Sequence, residues 1–553
     1  IVGMAPIVKN GNGNVTINNI NRTGKTEINA GKLTVASFSN SVGNDFGSLG
    51  YLKNIITIAD GATLAVSQTT ACGQMLKVGS GTAKLEVASG KTLTLEQGLK
   101  QAGGMTVNKT GSGTLNLTTG QTITKLIISS GSVNAVDNCL PTTVEFQGGT
   151  LYDANSQNSY NDTKCNFVVP EGKSGTLYAD PRCNYTGTLT GGGKFTVYAA
   201  GVRNYFNGNW SAFTGTVVPG LSKRGSYDPV FDFNNSYGLP KATVKLNSGV
   251  TIQNDGKSFA IGNISGEGTL AGSGVWTIGQ AVDEGKSFIM GAYTSSNIIK
   301  KGKGEMRVMS PGRMTGTLSI QEGSVRVSNN SAYLNGTKAT TITGATSKLY
   351  GPAKLYSVTV SNGGTFSVTS ILGLGAATEV TNAVTVNSNC NLEMYISKSS
   401  RSSLSASTLN LNGNVKVLMD DNYVPNDGDE FTLWNCKTFK MSATTTKAIL
   451  PVLKGYEFDT SDLFASTGVL RILKSPYTLG DANNDGVVDV ADITAIAAYI
   501  LGLSPDNFNE FAADANQDGE IDVSDITATA PIILQNAKRE AELREFNNKI
   551  REY

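Results

Sequence analysis

From the N-terminal residues to about residue 400, one short phrase keeps returning. A glycine is followed by a small or polar residue and then by an alternating Thr/Val/Leu run. Gly31-Lys-Leu-Thr-Val35, Gly61-Ala-Thr-Leu-Ala-Val66, Gly90-Lys-Thr-Leu-Thr-Leu95 and Gly364-Thr-Phe-Ser-Val368 are examples. Alternation over four to six residues specifies short strands buried on one face, and the glycine clusters mark the turns between them. No stretch of this region carries a helical period. The phrases recur irregularly, commonly every two to three tens of residues, the range of a solenoid coil. One such coil cannot bury its inward Leu, Val and Ile alone, so neighbours must stack into a continuous column. Thr and Asn are left to face outward or to form ladders. Only 14 prolines in 553 residues agree with a hydrogen-bonded sheet, since proline cannot donate to a ladder.

Composition removes several function classes. A formal net charge of +1 gives no electrostatic footing for nucleic acid or an anionic membrane. The chain has no histidine, which excludes Ser-His-Asp and Cys-His catalysis and any zinc site that uses imidazole. Six scattered cysteines contain no C-x-x-C pair; Cys165 and Cys183 are candidates for a disulfide, with buried free thiols the alternative. No apolar run reaches transmembrane length. The first residues, Ile-Val-Gly-Met, do not read as a signal peptide, and the expectation is a mature form or a fragment.

Near the C-terminus the pattern changes. Gly480-Asp-Ala-Asn-Asn-Asp-Gly-Val-Val-Asp-Val-Ala-Asp492 and Ala513-Asp-Ala-Asn-Gln-Asp-Gly-Glu-Ile-Asp-Val-Ser-Asp525 both read D-x-N-x-D-G-x-[VI]-D-x-x-D. Calcium takes six to eight oxygens, and an EF-hand-type loop supplies them from positions 1, 3, 5, 7, 9 and 12, with glycine at position 6. Those positions are Asp481, Asn483, Asp485, the Val487 carbonyl, Asp489 and Asp492, then Asp514, Asn516, Asp518, the Glu520 carbonyl, Asp522 and Asp525. Two calcium ions are therefore expected. Val488 and Ile521, at position 8, are placed to pair the loops back to back. Ile493, Ile496, Ala497, Ile500 and Leu501 fall at helical spacing after the first loop, as do Ile526, Ala530 and Ile533 after the second. No helix-forming run precedes the first loop.

A duplicated half EF-hand of this kind resembles a type I dockerin. The resemblance implies a calcium-dependent module that plugs an extracellular protein into a cohesin partner. The family's partner-contact positions correspond to Val490-Ala491, Val523-Ser524, Ala497-Ala498 and Ala530-Pro531, and none carries a hydroxyl pair. Pro531 is expected to kink the second helix. The partner is accordingly expected to be cohesin-like or another surface protein.

The repeats carry a second resemblance. Val107-Asn-Lys-Thr-Gly-Ser-Gly-Thr-Leu-Asn-Leu117, Ile299-Lys-Lys-Gly-Lys-Gly-Glu-Met-Arg-Val308 and Ile261-Gly-Asn-Ile-Ser-Gly-Glu-Gly-Thr-Leu270 resemble the autotransporter-associated β-strand repeat, and Met314 to Val325 resembles the coil that follows it. That family implies a right-handed parallel β-helix. The expected fold is mainly β: a right-handed parallel β-helix, or β-solenoid, followed by a small α-helical dockerin-like module.

The expected order is a β-solenoid over 1–404, interrupted by an irregular aromatic-rich segment at about 150–240. A β-rich closing segment at 405–473 follows, with Phe431, Trp434, Tyr456 and Phe458 covering the open end of the column. A linker at 474–479, the module at 480–535 and a charged helix at 536–553 complete it, with Leu543, Phe546 and Ile550 on one face of that helix. The expected function is a bacterial, extracellular or surface-exposed stalk or adhesin-like binding protein. Tyr205 and Trp210 are the expected glycan contacts, because aromatic rings stack on sugars. The alternative is a β-helix polysaccharide lyase or glycoside hydrolase, for which Arg182 near Asp180, or Arg203 near Tyr205, would supply a base.

Overall fold

The computed structural model describes the chain apart from residues 1, 4, 19–20, 23–24, 39–45, 48–49, 52–54, 101–104, 137–138, 155–160, 180–182, 200–203, 222–230, 309–313, 328–337, 371, 373, 454 and 552–553. The fold is mainly β, 48% strand against 8% helix, and is a β-solenoid of about 16 turns with a small helical region at its C-terminal side. The chain divides into two compact units, Ile1–Leu349 and Tyr350–Tyr553.

In the first unit the strands stack in parallel and in register. One ladder runs Lys32–Val35, Thr63–Val66, Thr82–Val87, Thr106–Thr110, Lys125–Ile128 and Thr143–Phe146. Another runs Thr92–Leu95, Thr114–Leu117, Ser132–Val136, Thr150–Ala154, Ser174–Ala179 and Lys194–Ala199. The alternation in the sequence maps directly onto burial. Leu93, Leu115, Val133, Leu151, Leu177 and Val197 are buried in register, whereas the Thr or Ser just before each is half-buried.

Between 150 and 240 the second ladder runs on through Thr216–Leu221 to Leu239–Leu246, while the first ends at Leu189–Thr190. Aromatic residues described here fall into an inward and an outward set. Phe146, Phe167, Tyr185, Phe195, Phe206 and Trp210 point inward and pack as a chain of rings with centroids 5.2–6.2 Å apart. Tyr152, Tyr178 and Tyr198 point outward and stack on one another, 4.5 and 4.6 Å between centroids. The core is filled with larger side chains here.

One corner of the coil has an unusual construction. Lys109 is fully buried, and its Nζ donates to the carbonyls of Thr110, Gly111 and Ser130 at 2.9, 2.7 and 3.1 Å. Lys300 does the same to Lys301, Gly302 and Glu322, and Lys9 to Asn10, Gly11 and Ala30. An ammonium has three protons, and each one meets a carbonyl that the tight corner would otherwise strand. Burial lowers the Lys109 and Lys300 pKa to about 8; the carbonyls oppose that by favouring the charged form. The glycines of the corner are required. Gly131 has φ +69°, and a Cβ there would lie 2.4–2.8 Å from the Gly113 and Gly111 carbonyls and the Lys109 Nζ.

All six cysteines are buried and none is in a disulfide, so Cys165 and Cys183 are not bonded to each other. Burial pushes the Cys72 and Cys183 thiols up to about 12, so both stay protonated, with Cys72 directed at Gln74 and Cys183 at Asp153.

The second unit begins with further parallel coils. Ala377–Val386 pairs with Ser403–Leu411, which pairs with Asp429–Met441; Asn391–Ile396 pairs with Asn414–Met419. Parallel stacking therefore runs past residue 405, and the change comes at Asp429–Met441. That strand pairs antiparallel with Thr467–Lys474, which pairs antiparallel with Tyr456–Asp459. Reversal of strand direction ends the repeat, because no further coil can continue it. Phe431 and Trp434 are buried beneath this closing ribbon, while Tyr456 and Phe458 are half-buried. Trp434 Nε1 donates to the Ala465 carbonyl at 3.0 Å, and a Cβ on the opposing Gly468 would collide with its indole.

Candidate metal centre and binding faces

After the closing ribbon come three helices, α1 (Val490–Ile500), α2 (Glu510–Ala513) and α3 (Val523–Arg551). Ala482, Ala495, Ile496 and Ala513 form their small core, with Ile500, Phe508, Ile521 and Ile526 packed against it. Val488 is also buried. Alanines at the centre bring the two loop–helix units close together. α3 runs without a break through Pro531, so the second loop's helix and the charged C-terminal segment are one element. The side chains of Leu543, Phe546 and Ile550 lie outside the described residues.

The two loops are built alike. In the first, Asp485 N donates to Asp481 Oδ1 and Gly486 N to Asp481 Oδ2, at 3.0 and 2.9 Å; in the second, Asp518 N and Gly519 N donate to the two oxygens of Asp514, at 3.1 and 3.0 Å. Asn483 N and Asp489 N donate to Asp492, and Asn516 N and Asp522 N to Asp525, all within 2.8–3.1 Å. Gly486 and Gly519 take φ +88° and +91°, the left-handed turn that glycine permits without strain. Loop positions 9 and 12 have a second task. Asp489 caps α1 and Asp492 closes the capping box, so the metal-ligand pattern also starts the helix.

Along its length each loop carries four carboxylates, one side-chain amide and one backbone carbonyl at the ligand positions. Asp492 and Asp525 are fully buried and Asp481 nearly so. Burial raises the Asp492 pKa; the Asn483 and Asp489 N–H donors draw it back, and the charges of Asp481 and Asp485 push it up again. Among the described residues no Lys or Arg pairs with these carboxylates, and no three carboxylates form a closed cluster by themselves. Oxygen-only donors around uncompensated negative charge fit a hard cation such as calcium.

On the module's surface, Val490 and Val523 occupy position 10 of each loop and are 66% and 64% exposed. Leu501, Phe511 and Leu534 are also largely exposed. Tyr477, just before the first loop, stacks on Phe511 with ring centroids 5.8 Å apart.

The residues expected to contact glycan separate. Trp210 is 3% exposed, enclosed by Phe195, Phe206 and Phe233, with Nε1 donating to the Gly187 carbonyl. It is a core residue and has no ring face to offer a sugar. Tyr205 is half-buried and stands between Asn184 and Asp232 on a different outward rank. Burial raises the Asp232 pKa to about 6. Asp180, Arg182 and Arg203 lie outside the described residues. The outward Tyr152, Tyr178 and Tyr198 carry a signal in the sequence after all: the triplets Thr150-Leu-Tyr152, Thr176-Leu-Tyr178 and Thr196-Val-Tyr198 repeat one pattern. A concave site of about 560 Å³ is lined by Thr142, Asp153, Asp162, Thr163, Lys164 and Cys165. Inside it, Asp153 Oδ2 accepts from the buried Tyr185 hydroxyl at 2.9 Å.

No curated protein matches the chain. A type I dockerin binds calcium and implies a cohesin-type partner. Residues 479–529, which hold both loops, α1, α2 and the start of α3, match the family model described as Dockerin type I domain.

Proposed function

We propose that this chain is an exported, surface-associated β-solenoid binding protein held in place by its C-terminal module. Each loop takes one calcium ion: Asp481, Asn483, Asp485, the Val487 carbonyl, Asp489 and Asp492 serve the first, and Asp514, Asn516, Asp518, the Glu520 carbonyl, Asp522 and Asp525 the second. The single observation that carries this reading is the atom-for-atom repetition of the loop network on a segment matching a dockerin. Calcium removes the repulsion among four carboxylates and so fixes the loops, the helix starts and the surface around Val490 and Val523. The solenoid then offers its outward side chains to ligands.

The test is capture of the full-length chain on an immobilised cohesin, with calcium and with chelator. Calcium-dependent retention that Asp481→Ala/Asp514→Ala abolishes is expected. Retention indifferent to both changes would overturn the docking role.

A further inference from the structure

The outward face of the column contains a surface that the docking role does not use. Across six successive strands, from Thr92–Leu95 to Lys194–Ala199, two outward ranks run side by side. The first consists of Thr94, Asn116, Asn134, Tyr152, Tyr178 and Tyr198. The second, from Thr92 to Thr196, has a Thr or Ser hydroxyl on every strand. All of these side chains are half-buried, and none carries a charge at neutral pH. With strands about 4.8 Å apart, the strip is roughly 24 Å long.

The strip is already ordered. Asn134 Nδ2 donates to Asn116 Oδ1 at 2.9 Å, and Asn116 Nδ2 to Thr94 Oγ1 at 3.1 Å. The three tyrosines cover one another's faces, with planes 10° and 16° apart. The far face of Tyr198 lies over Gly220, where a Cβ would come within 2.5 Å of the ring. A ligand therefore meets ring edges, hydroxyls and amides that are fixed before it arrives, which lowers the ordering cost of binding.

We infer that this strip binds an uncharged polysaccharide laid along the column axis. Absence of charge leaves nothing to select an ionic ligand, and groups that both donate and accept suit a polyhydroxyl chain. Repetition at strand spacing suits a polymer over a compact ligand, because many weak contacts add along its length. The inference rests on the binding-protein reading above and replaces Tyr205 and Trp210 as the place of contact.

The experiment is affinity electrophoresis of the full-length chain through gels containing hydroxyethyl cellulose, or its anionic counterpart carboxymethyl cellulose. Retardation by the neutral polymer, exceeding that by the anionic one, is expected. Asn134→Lys should weaken it at least fivefold, and Tyr178→Phe, which keeps the ring stack, about twofold. Thr277→Lys, on an outward position elsewhere in the first unit, should leave it unchanged. No retardation of the wild-type chain by the neutral polymer, or equal retardation of Asn134→Lys and wild type, overturns the proposal. Calcium-dependent cohesin capture, run on the same variants, separates this failure from failure of the docking role.

Discussion

The column and the module solve the same problem in opposite ways. Both bury charge in a small space. In the column, Lys9, Lys109 and Lys300 each point an ammonium into three carbonyls of their own corner. The charge is neutralised by dipoles the chain already has. In the module, Asp481, Asp492 and Asp525 are buried carboxylates, and no cationic side chain pairs with them among the described residues. On the calcium-binding reading proposed above, that region is completed from outside the chain, whereas the column's lysine corners are completed from within it.

Several changes would break or sharpen this contrast. The largest effect is expected from Asp481→Ala/Asp514→Ala: amide exchange protection across 480–535 should collapse, while the coils from Lys32 to Phe146 keep theirs. Phe195, fully buried against Phe146, Phe167 and Trp210, should cost about 3–5 kcal/mol on change to Ala. A denaturant midpoint of the column reads that loss, and calcium should not restore it.

Lys109→Met leaves three buried carbonyls without their donor and should destabilise the column by about 2–4 kcal/mol, again insensitive to chelator. If chelation changed that value, the two regions would not be energetically separate. The smallest effect has the opposite sign. Asp232 has a pKa of about 6 in the fold against an ordinary 3.8, so the folded chain holds its proton to higher pH than the unfolded chain. Its cost is present above pH about 6 and disappears as pH falls through 3.8. Asp232→Asn should therefore stabilise the column by about 1–2 kcal/mol at pH 7 and by nothing near pH 3.5.

The two regions also differ in how well they can be read from sequence. The module is written locally. Twelve consecutive residues specify the ligands, the glycine turn and the helix cap together, because Asp489 and Asp492 serve both loop and cap. The column is written diffusely, and the alternation in Thr92–Leu95 or Thr114–Leu117 gives strand and burial but not the partner strand. Aromatic density between 150 and 240 conceals strand parity: Phe195 and Tyr198 lie three residues apart and face opposite ways. Trp210 illustrates the remaining difficulty. An indole near a loop looks like a platform in sequence, and only the ring chain around it identifies it as core. Lys9-Asn-Gly-Asn-Gly13 shares the K-x-G-x-G phrase of Lys109 and Lys300; what no sequence pattern states is that these lysines point inward.

The lysine corner has a consequence for how such a chain lengthens over time. Each cage takes its third carbonyl from the residue just before a left-handed glycine in the next coil: Ala30 before Gly31, Ser130 before Gly131, Glu322 before Gly323. From lysine to glycine the separations are 31 − 9 = 22, 131 − 109 = 22 and 323 − 300 = 23 residues. An insertion that pulled these two points out of alignment would strand an ammonium inside the column, whereas a whole added coil would bring its own corner with it. Growth by duplication of complete turns is the path of least resistance, and drift is confined to the stretches between cages.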